Sequence, residues 1–403
     1  MFGVLKGFNY RSWTIGALIS NLGTWIQRTA QDWLVLTQLS HHNATALGVV
    51  TGLQFAPQVL LLPWSGCVAD RFDRRQVLAV TQATMLMLAL GLGVLTVLHI
   101  VQLAYVYIFA FLLGTVSAVE LPARQTFISA LVGEADLPSA VSMNSTSASA
   151  ARLIGPVISG LLVCSMGTGW AFIADAASFL VMLGVLWLLR SDQLHSAGGI
   201  QRIGGGFIEG LSYIWQDIGL RTVLLMVLFV GSFGLQFPIF ISTMSVTVFH
   251  LGPEQCGLMT SFLAIGAITG ALFTTWRPTA DLHLLAALAA LFGVGCMAAA
   301  VMPDYLAFGT ALIVVGFATQ TFITSANSFV QLSTDPGLRG RVIAILLSAA
   351  LIGTPIGAPI VGWAANLFGP RWALGLGAAA GFAAMAIACR ARHRWFLSPR
   401  LSA

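Results

Sequence analysis

Six ionisable side chains stand inside or at the edge of otherwise apolar stretches: Arg28, Asp32, Glu120, Arg124, Arg152 and Asp175. An ionisable group in hydrocarbon is costly, so each is a functional candidate by default. Asn21, Trp25, Arg28 and Asp32 recur at i, i+4, i+7 and i+11. At the helical period they fall on one stripe roughly 60° wide, and such a stripe in a bilayer must face protein or water. Arg28 and Asp32, four residues apart, can neutralise each other along the helix. Two roles fit the pair, a tether to neighbouring helices or a proton-responsive site. Burial disfavours the charged form of a carboxylate and a nearby arginine favours it, so protonation can follow conformation. A proton-coupled carrier needs that physics. Asp32 is the first candidate for the responsive acid, with Arg28 and Arg152 as competing cations. Asp175, on a peripheral sixth span, is the weaker candidate and also reads as a packing hydrogen-bond group. Counted from the span ends, the four can form one charge layer.

Such chemistry requires helices that cross a membrane. The 403 residues are 57% hydrophobic and 8% charged, with 42 glycines and a mean hydropathy of +0.88, whereas soluble domains carry roughly 25% charge. Apolar runs of about 20 residues are long enough to span the hydrocarbon. They predict twelve spans at 13–38, 46–67, 76–98, 103–121, 138–163, 169–189, 220–249, 255–276, 282–302, 305–330, 340–364 and 370–389. The first carries Asn21, Gln27, Arg28 and Asp32 and no small-residue cleavage site, so it reads as a retained span and not a signal peptide. Of the nineteen Lys and Arg residues, sixteen fall on one side of these spans, Arg371 on the other, and Arg28 and Arg152 within. By the positive-inside rule both termini are cytoplasmic. The net charge of +5 thus follows the membrane and does not point to a nucleic acid.

Cys67, Cys164, Cys256, Cys296 and Cys389 are scattered, without Cys-x-x-Cys or histidine partners at ligand spacing, and read as small span residues. No phosphate loop, strand-linked GxGxxG, metal-spaced histidine cluster or GxSxG is present. Nothing supports ATP hydrolysis or an enzyme, and no cofactor or metal is expected.

The longest break, Arg190 to Gly219, holds Gly198-Gly199 and Gly204-Gly205-Gly206, then an amphipathic stretch from Phe207 to Trp215. It predicts a cytoplasmic linker at 191–219 with one interfacial helix. The linker divides an N-terminal six-helix bundle, 1–190, from a C-terminal bundle with a short basic tail, 220–403. A shift of 202 residues brings Gly114 onto Gly316, Phe127 onto Phe329, Gly160 onto Gly362 and Trp170 onto Trp372, as a 6+6 repeat would.

Between the second and third spans, Gly66, Asp70, Arg71, Asp73, Arg74 and Arg75 form Gly-x-x-x-Asp-Arg-x-Asp-Arg-Arg. The second half has no good copy, since Trp276 to Asp281 keeps one Arg and one Asp. Span five contains Arg152-Leu-Ile-Gly155-Pro156-Val-Ile-Ser-Gly160, and span eleven Gly353-Thr-Pro355-Ile-Gly357-Ala-Pro359. Small residues allow close helix approach, and proline frees a carbonyl and bends the helix. Interrupted segments in matching places point to moving, cavity-lining helices, although abundant glycine also suits ordinary packing. Candidates for substrate contact are Asn21 and Trp25 in the first half, and Gln236, Phe237, Gln320 and Asn327 in the second. Phe233, Phe240, Phe262 and Phe322 would supply apolar wall.

The charged loop resembles the signature loop of the major facilitator superfamily. The segment Asn21 to Trp33, Pro122-Ala-Arg124-Gln125 and Leu338-Arg339-Gly-Arg341 look like its bacterial branch of enterobactin-exporter-like and multidrug carriers. Gly155, Pro156 and Gly160 resemble the exporter-associated antiporter motif. The resemblance covers the whole chain. It implies an all-α membrane protein of 12 transmembrane helices in two six-helix bundles, each of inverted 3+3 repeats, acting as a monomer in the bacterial inner membrane. It also implies export of small amphipathic molecules (drugs, siderophores or related metabolites) by proton antiport and alternating access. The partners are then substrate, protons and membrane lipids. Asp32, Arg28, Arg152 and Asp175 would couple protons. The loop residues Gly66 to Arg75, with Glu120 and Arg124, would close a cytoplasmic gate: Asp70 meets the N-terminal end of span eleven, and the arginines pair with acids such as Glu120. Two other functions stay open. One is an importer or uniporter of a small anionic metabolite using Arg28 and Arg152, and the other a non-transporting membrane sensor or lipid-binding protein.

Overall fold

The computed structural model describes residues 7–61, 72–133, 136–190, 207–276, 281–335 and 338–396. Gly66, Asp70 and Arg71 of the charged loop, and 191–206 of the linker, lie outside these residues. Every regular element described is helical. The first six helices are α1 (Phe8–Trp33), α2 (Ala44–Leu60), α3 (Arg74–Val97), α4 (Leu103–Leu131), α5 (Leu137–Met166) and α6 (Thr168–Leu188). They are followed by α7 (Phe207–Gln216), α8 (Ile218–Phe229), α9 (Phe237–Thr243), α10 (Pro253–Trp276), α11 (Leu282–Val301) and α12 (Tyr305–Ser333). The last are α13 (Arg339–Ile352), α14 (Thr354–Phe368) and α15 (Pro370–Phe396). Among the described residues, ten helical segments are long and apolar enough to cross a membrane. Two of them combine elements, Ile218–Val248 and Arg339–Phe368. Helix α1 is diluted by its polar stripe, and the described part of α2 is 17 residues long.

Loop charges are largely used to end helices. Asp73 accepts from the backbone N–H of Arg75 and Gln76 at the start of α3. Asp217, Asp281 and Asp304 do the same for α8, α11 and α12, satisfying donors that have no partner within the first turn. At C-terminal ends histidine takes the left-handed turn. His41, His42, His99 and His250 are the non-glycine residues with positive φ, between 49° and 68°, among the described residues. After α3 the N–H of Ile100 reaches back to the carbonyl of Leu95, closing a Schellman turn around His99.

Contacts divide the chain into two units. The first comprises Met1–His42, Leu53–Arg202 and His250–Ser261, and the second Asn43–Gly52, Ile203–Phe249 and Phe262–Ala403. In the first, α1 packs on α5 and α6, and α3 on α4 and α6. At one end of that unit Tyr10, Trp13, Leu78, Phe127 and Leu186 form a buried cluster. Trp13 and Phe127 ring centroids are 5.0 Å apart, and the Tyr10 hydroxyl donates to the Ala140 carbonyl at 2.9 Å. In the second, α11, α12 and α15 pack with α8 around Phe322, Leu285 and Val223.

Lipid is as apolar as leucine, so close backbone approach matters more here than burial of large side chains. A Cβ on Gly114 would collide with the Gln54 carbonyl on α2, and one on Gly316 with the Leu263 carbonyl on α10. These two glycines, 202 residues apart, make the same kind of contact. Gly160 and Gly362 behave alike too, against the carbonyls of Pro253 and Ala44, the first residues of α10 and α2.

The linker helix packs against the second unit through part of its surface. Ile214 of α7 is 1% exposed within the second unit's core, and Gly210 leaves room for Ile345 and Arg341 of α13. Glu209 pairs with Arg341 at 2.9 Å, and the Tyr213 hydroxyl donates to Asp335 at 3.3 Å. Ile214 is covered by protein, whereas Trp215 is 54% exposed.

Candidate functional site

Helices α1, α2, α3, α4 and α6 enclose a cavity of about 180 Å³ in the first unit. Its wall is polar for a chain so apolar. Ser20, Asn21, Thr24, Gln27 and Arg28 come from α1, Gln54 and Gln58 from α2, and Gln82 from α3. Ser117, Glu120 and Arg124 come from α4, and Asp175 from α6. Such a volume holds several waters. A second space of about 10 Å³, the size of one water, is bounded by Gln27, Gln31 and Asp175. Gln27 and Asp175 therefore stand between the two. Gln27 is fixed by donating to the Gln31 side chain at 2.8 Å.

Asp175 is 1% exposed. Its carboxylate accepts from Ser178 Oγ at 3.3 Å, and the same hydroxyl donates to its backbone carbonyl at 2.7 Å. Helix α1 reaches this point through Gly23, where a Cβ would lie 2.7 Å from Asp175 Oδ1. Glu120 is held by Arg124 at 3.5 Å and by the Gln82 amide at 3.4 Å. Arg124 also donates to the Ala17 carbonyl at 3.4 Å.

Arg28 and Asp32 do not meet. No ion pair within 4.0 Å joins them, whereas Glu120 and Arg124 form one at the same spacing. Order explains the difference. A helical side chain extends toward the N-terminus, so an acid four residues before a base is well placed and the reverse order is not. Arg28 instead lies over Trp25, its guanidinium carbon 5.6 Å from the ring centroid, and 6.0 Å from that of Phe55. Arg152 reaches the same indole from α5, at 5.3 Å. Gly155 lets α5 close on Trp25, since a Cβ there would lie 2.5 Å from the Trp25 Cβ. Ser159 Oγ ties α5 to α1 by donating to the Ile26 carbonyl at 2.8 Å. Pro156 lies within α5, and its carbonyl is approached closely by Gly257.

Of the residues singled out from sequence, Asn21, Arg28, Glu120, Arg124 and Asp175 share the cavity. Asp32, Trp25 and Arg152 do not line it. Gln236, Phe237, Gln320 and Asn327 lie in the second unit. The Gln236 amide donates to the Ser232 carbonyl at 2.9 Å beside a π-helical turn. Phe237 packs on the cluster around Phe292, and the Gln320 amide donates to Thr324 at 3.2 Å. In the charged loop, Arg74 donates to the Thr126 carbonyl at 3.5 Å and Arg75 to the Leu186 carbonyl at 2.6 and 2.9 Å. Neither is paired with Glu120 among these contacts. Sequence reasoning missed the glutamines of the wall. Gln54 and Gln58, one helical turn apart in an apolar span, were the available signal.

The family model described as transmembrane secretion effector matches residues 3–399. The staphyloferrin A transporter of Staphylococcus aureus is 25% identical over 354 residues, covering 86% of this chain and 87% of that one. The multidrug efflux pump Tap of Mycolicibacterium fortuitum is 26% identical over 375 residues, covering 88% of each. A solved structure of a bacterial homolog of the human lysosomal transporter Spinster, inward-facing and occupied, superposes with a TM-score of 0.75 at 15% identity, over 98% of this chain and 99% of that one. These similarities and the apolar helices make the protein a multi-pass transporter of the bacterial inner membrane and not an enzyme; the chain belongs to the transmembrane secretion effector family of the major facilitator superfamily.

Proposed function

We propose that this protein exports small amphipathic molecules by proton antiport, with two six-helix bundles alternating access to the substrate path and both termini in the cytoplasm. Helices α1 and α2 complete the twelve spans on this reading. The names of its relatives, a siderophore transporter and a drug efflux pump, support an exporter.

The observation that carries the coupling is the cavity wall on which Asp175 and Arg28 stand together. Among the described residues Asp175 has one side-chain hydrogen-bond donor, Ser178, and no ion pair within 4.0 Å. Ionised, it attracts the Arg28 guanidinium. Protonated, it releases Arg28 to act on a substrate. Proton and substrate then compete for one arginine, which is the minimal logic of antiport. Asp32, on the same helix but off the cavity wall, is the second acid. Glu120 and Arg124 already neutralise each other and set the polar end of the cavity. The Gly155, Pro156 and Gly160 run serves as the surface on which α5 moves against α1 and α10.

The test is transport in proteoliposomes under an imposed pH gradient, with wild type, Asp175→Asn and Asp32→Asn. Antiport requires accumulation that follows the gradient in wild type and is lost in Asp175→Asn. An importer or uniporter of a small anion would instead follow the solute's own gradient.

A further inference from the structure

Arg28 and Arg152 come from different helices to one indole, 5.6 and 5.3 Å from its centroid. Their guanidinium carbons are therefore no further apart than these two distances together. Neither side chain makes a hydrogen bond to protein or lies within 4.0 Å of a carboxylate among the described residues. Arg28 Nε is buried and has no partner. Arg152 remains exposed.

Contact with an aromatic face stabilises a cation but uses only the flat side of a guanidinium. Its N–H groups, five per arginine, point outward in the ring plane and suit a planar carboxylate. When Asp175 is protonated, two like charges on one indole, with no hydrogen bond to protein among the described residues, leave an anionic ligand as their partner. Between the arginines the floor is apolar, formed by Trp25 and, on the Arg28 side, Phe55. Gly155 and the Ser159 to Ile26 hydrogen bond hold that floor to α5. The site is thus preformed from α1, α2 and α5.

We infer that the substrate class is an amphipathic carboxylate, gripped at two points by Arg28 and Arg152 with its apolar segment across Trp25, and not a lipophilic cation. This rests on the transport reading above and specifies its cargo. A dianion with acid groups at both ends of a short alkyl chain fits the arrangement best. Two cations on one floor repel a cationic drug.

The experiment is titration calorimetry of the purified full-length protein with suberate, a linear dicarboxylate, and with tetraphenylphosphonium, a lipophilic cation. Suberate binds wild type, and Arg28→Gln or Arg152→Gln weakens it at least tenfold. Arg28→Lys recovers part of the loss. Neither glutamine variant weakens tetraphenylphosphonium. Suberate binding unchanged in both variants overturns the inference, as does binding of tetraphenylphosphonium alone. A second measurement uses wild type only. Suberate protects Arg28 and Arg152 from phenylglyoxal, read by mass spectrometry, and equal modification with and without suberate overturns the site. Proteoliposomes separate this inference from the one beneath it. Proton-coupled movement of tetraphenylphosphonium without suberate binding removes the substrate class and leaves transport. Suberate binding without proton-coupled movement of either solute leaves the anion site and removes antiport.

Discussion

Gly23→Ala probes whether Asp175 is held in place by the packing of α1 on α6. A Cβ at position 23 would lie 2.6 Å from Ser178 Cβ and 2.7 Å from Asp175 Oδ1, and closer still to Ser178 Oγ. Either the helices part or the two side chains turn away. Overpacking of this kind costs about 1–3 kcal/mol, and losing the Ser178 to Asp175 hydrogen bond about 0.5–1.5 kcal/mol. Alanine recovers about 1 kcal/mol over glycine in a helix interior, so the net destabilisation is about 2 kcal/mol. Gly184 supplies the control. It lies in α6 with nothing within 4 Å of an added Cβ, so Gly184→Ala is neutral or stabilising by up to about 1 kcal/mol. Thermal unfolding of the purified proteins reads the difference, and proton-coupled transport reads whether Asp175 has moved. Ser178→Gly in the Gly23→Ala background removes the two Ser178 atoms of the three that clash and leaves the contact with Asp175 Oδ1, so it recovers part of the lost stability, less about 1 kcal/mol for the new helical glycine. Gly23→Ala with the melting temperature of Gly184→Ala and wild-type pH dependence would refute the reasoning.

Ser159→Ala removes the 2.8 Å bond to the Ile26 carbonyl and lowers stability by about 1 kcal/mol; unchanged unfolding would mean that α5 is held to α1 by packing alone. Glu209→Gln breaks the pair with Arg341, yet Glu209 has a side chain 58% exposed, so the cost is under about 1 kcal/mol and fades in high salt. A larger, salt-independent loss would make the α7 contact more than a surface pair. Exchange of a dianion for one proton moves three charges, worth about 7 kcal/mol per 100 mV. A potassium-diffusion potential, negative inside, should therefore speed suberate exit from proteoliposomes in which the cytoplasmic face points inward, and exit indifferent to voltage counts against the dianion.

The stripe of Asn21, Trp25, Arg28 and Asp32 was legible because helical period and an apolar background isolate it. What those residues touch was not. Whether Arg28 turns to Asp32 or to Trp25 depends on side-chain direction and on Arg152, 124 positions away in the chain. The cavity depends on glutamines from three helices, each unremarkable alone, and on Gly114 and Gly23 letting those helices approach. Asp175 looked peripheral because a sixth span often is, yet Gly23 brings α1 directly onto it. Glu120 and Arg124 were legible as charges ending an apolar run; that they pair with each other on the cavity wall was not. The amphipathic period of Phe207 to Trp215 marked a helix, while its contact with α13 depends on Gly210, which the period does not show.

The most direct measurement traps a pH indicator inside proteoliposomes and follows internal pH when suberate is added to one side. Suberate movement should drive an opposite movement of protons in wild type, and Asp175→Asn should abolish the proton signal while calorimetry still detects bound suberate. Suberate flux with no pH change, or an undiminished proton signal in Asp175→Asn, would contradict coupling through Asp175 and Arg28.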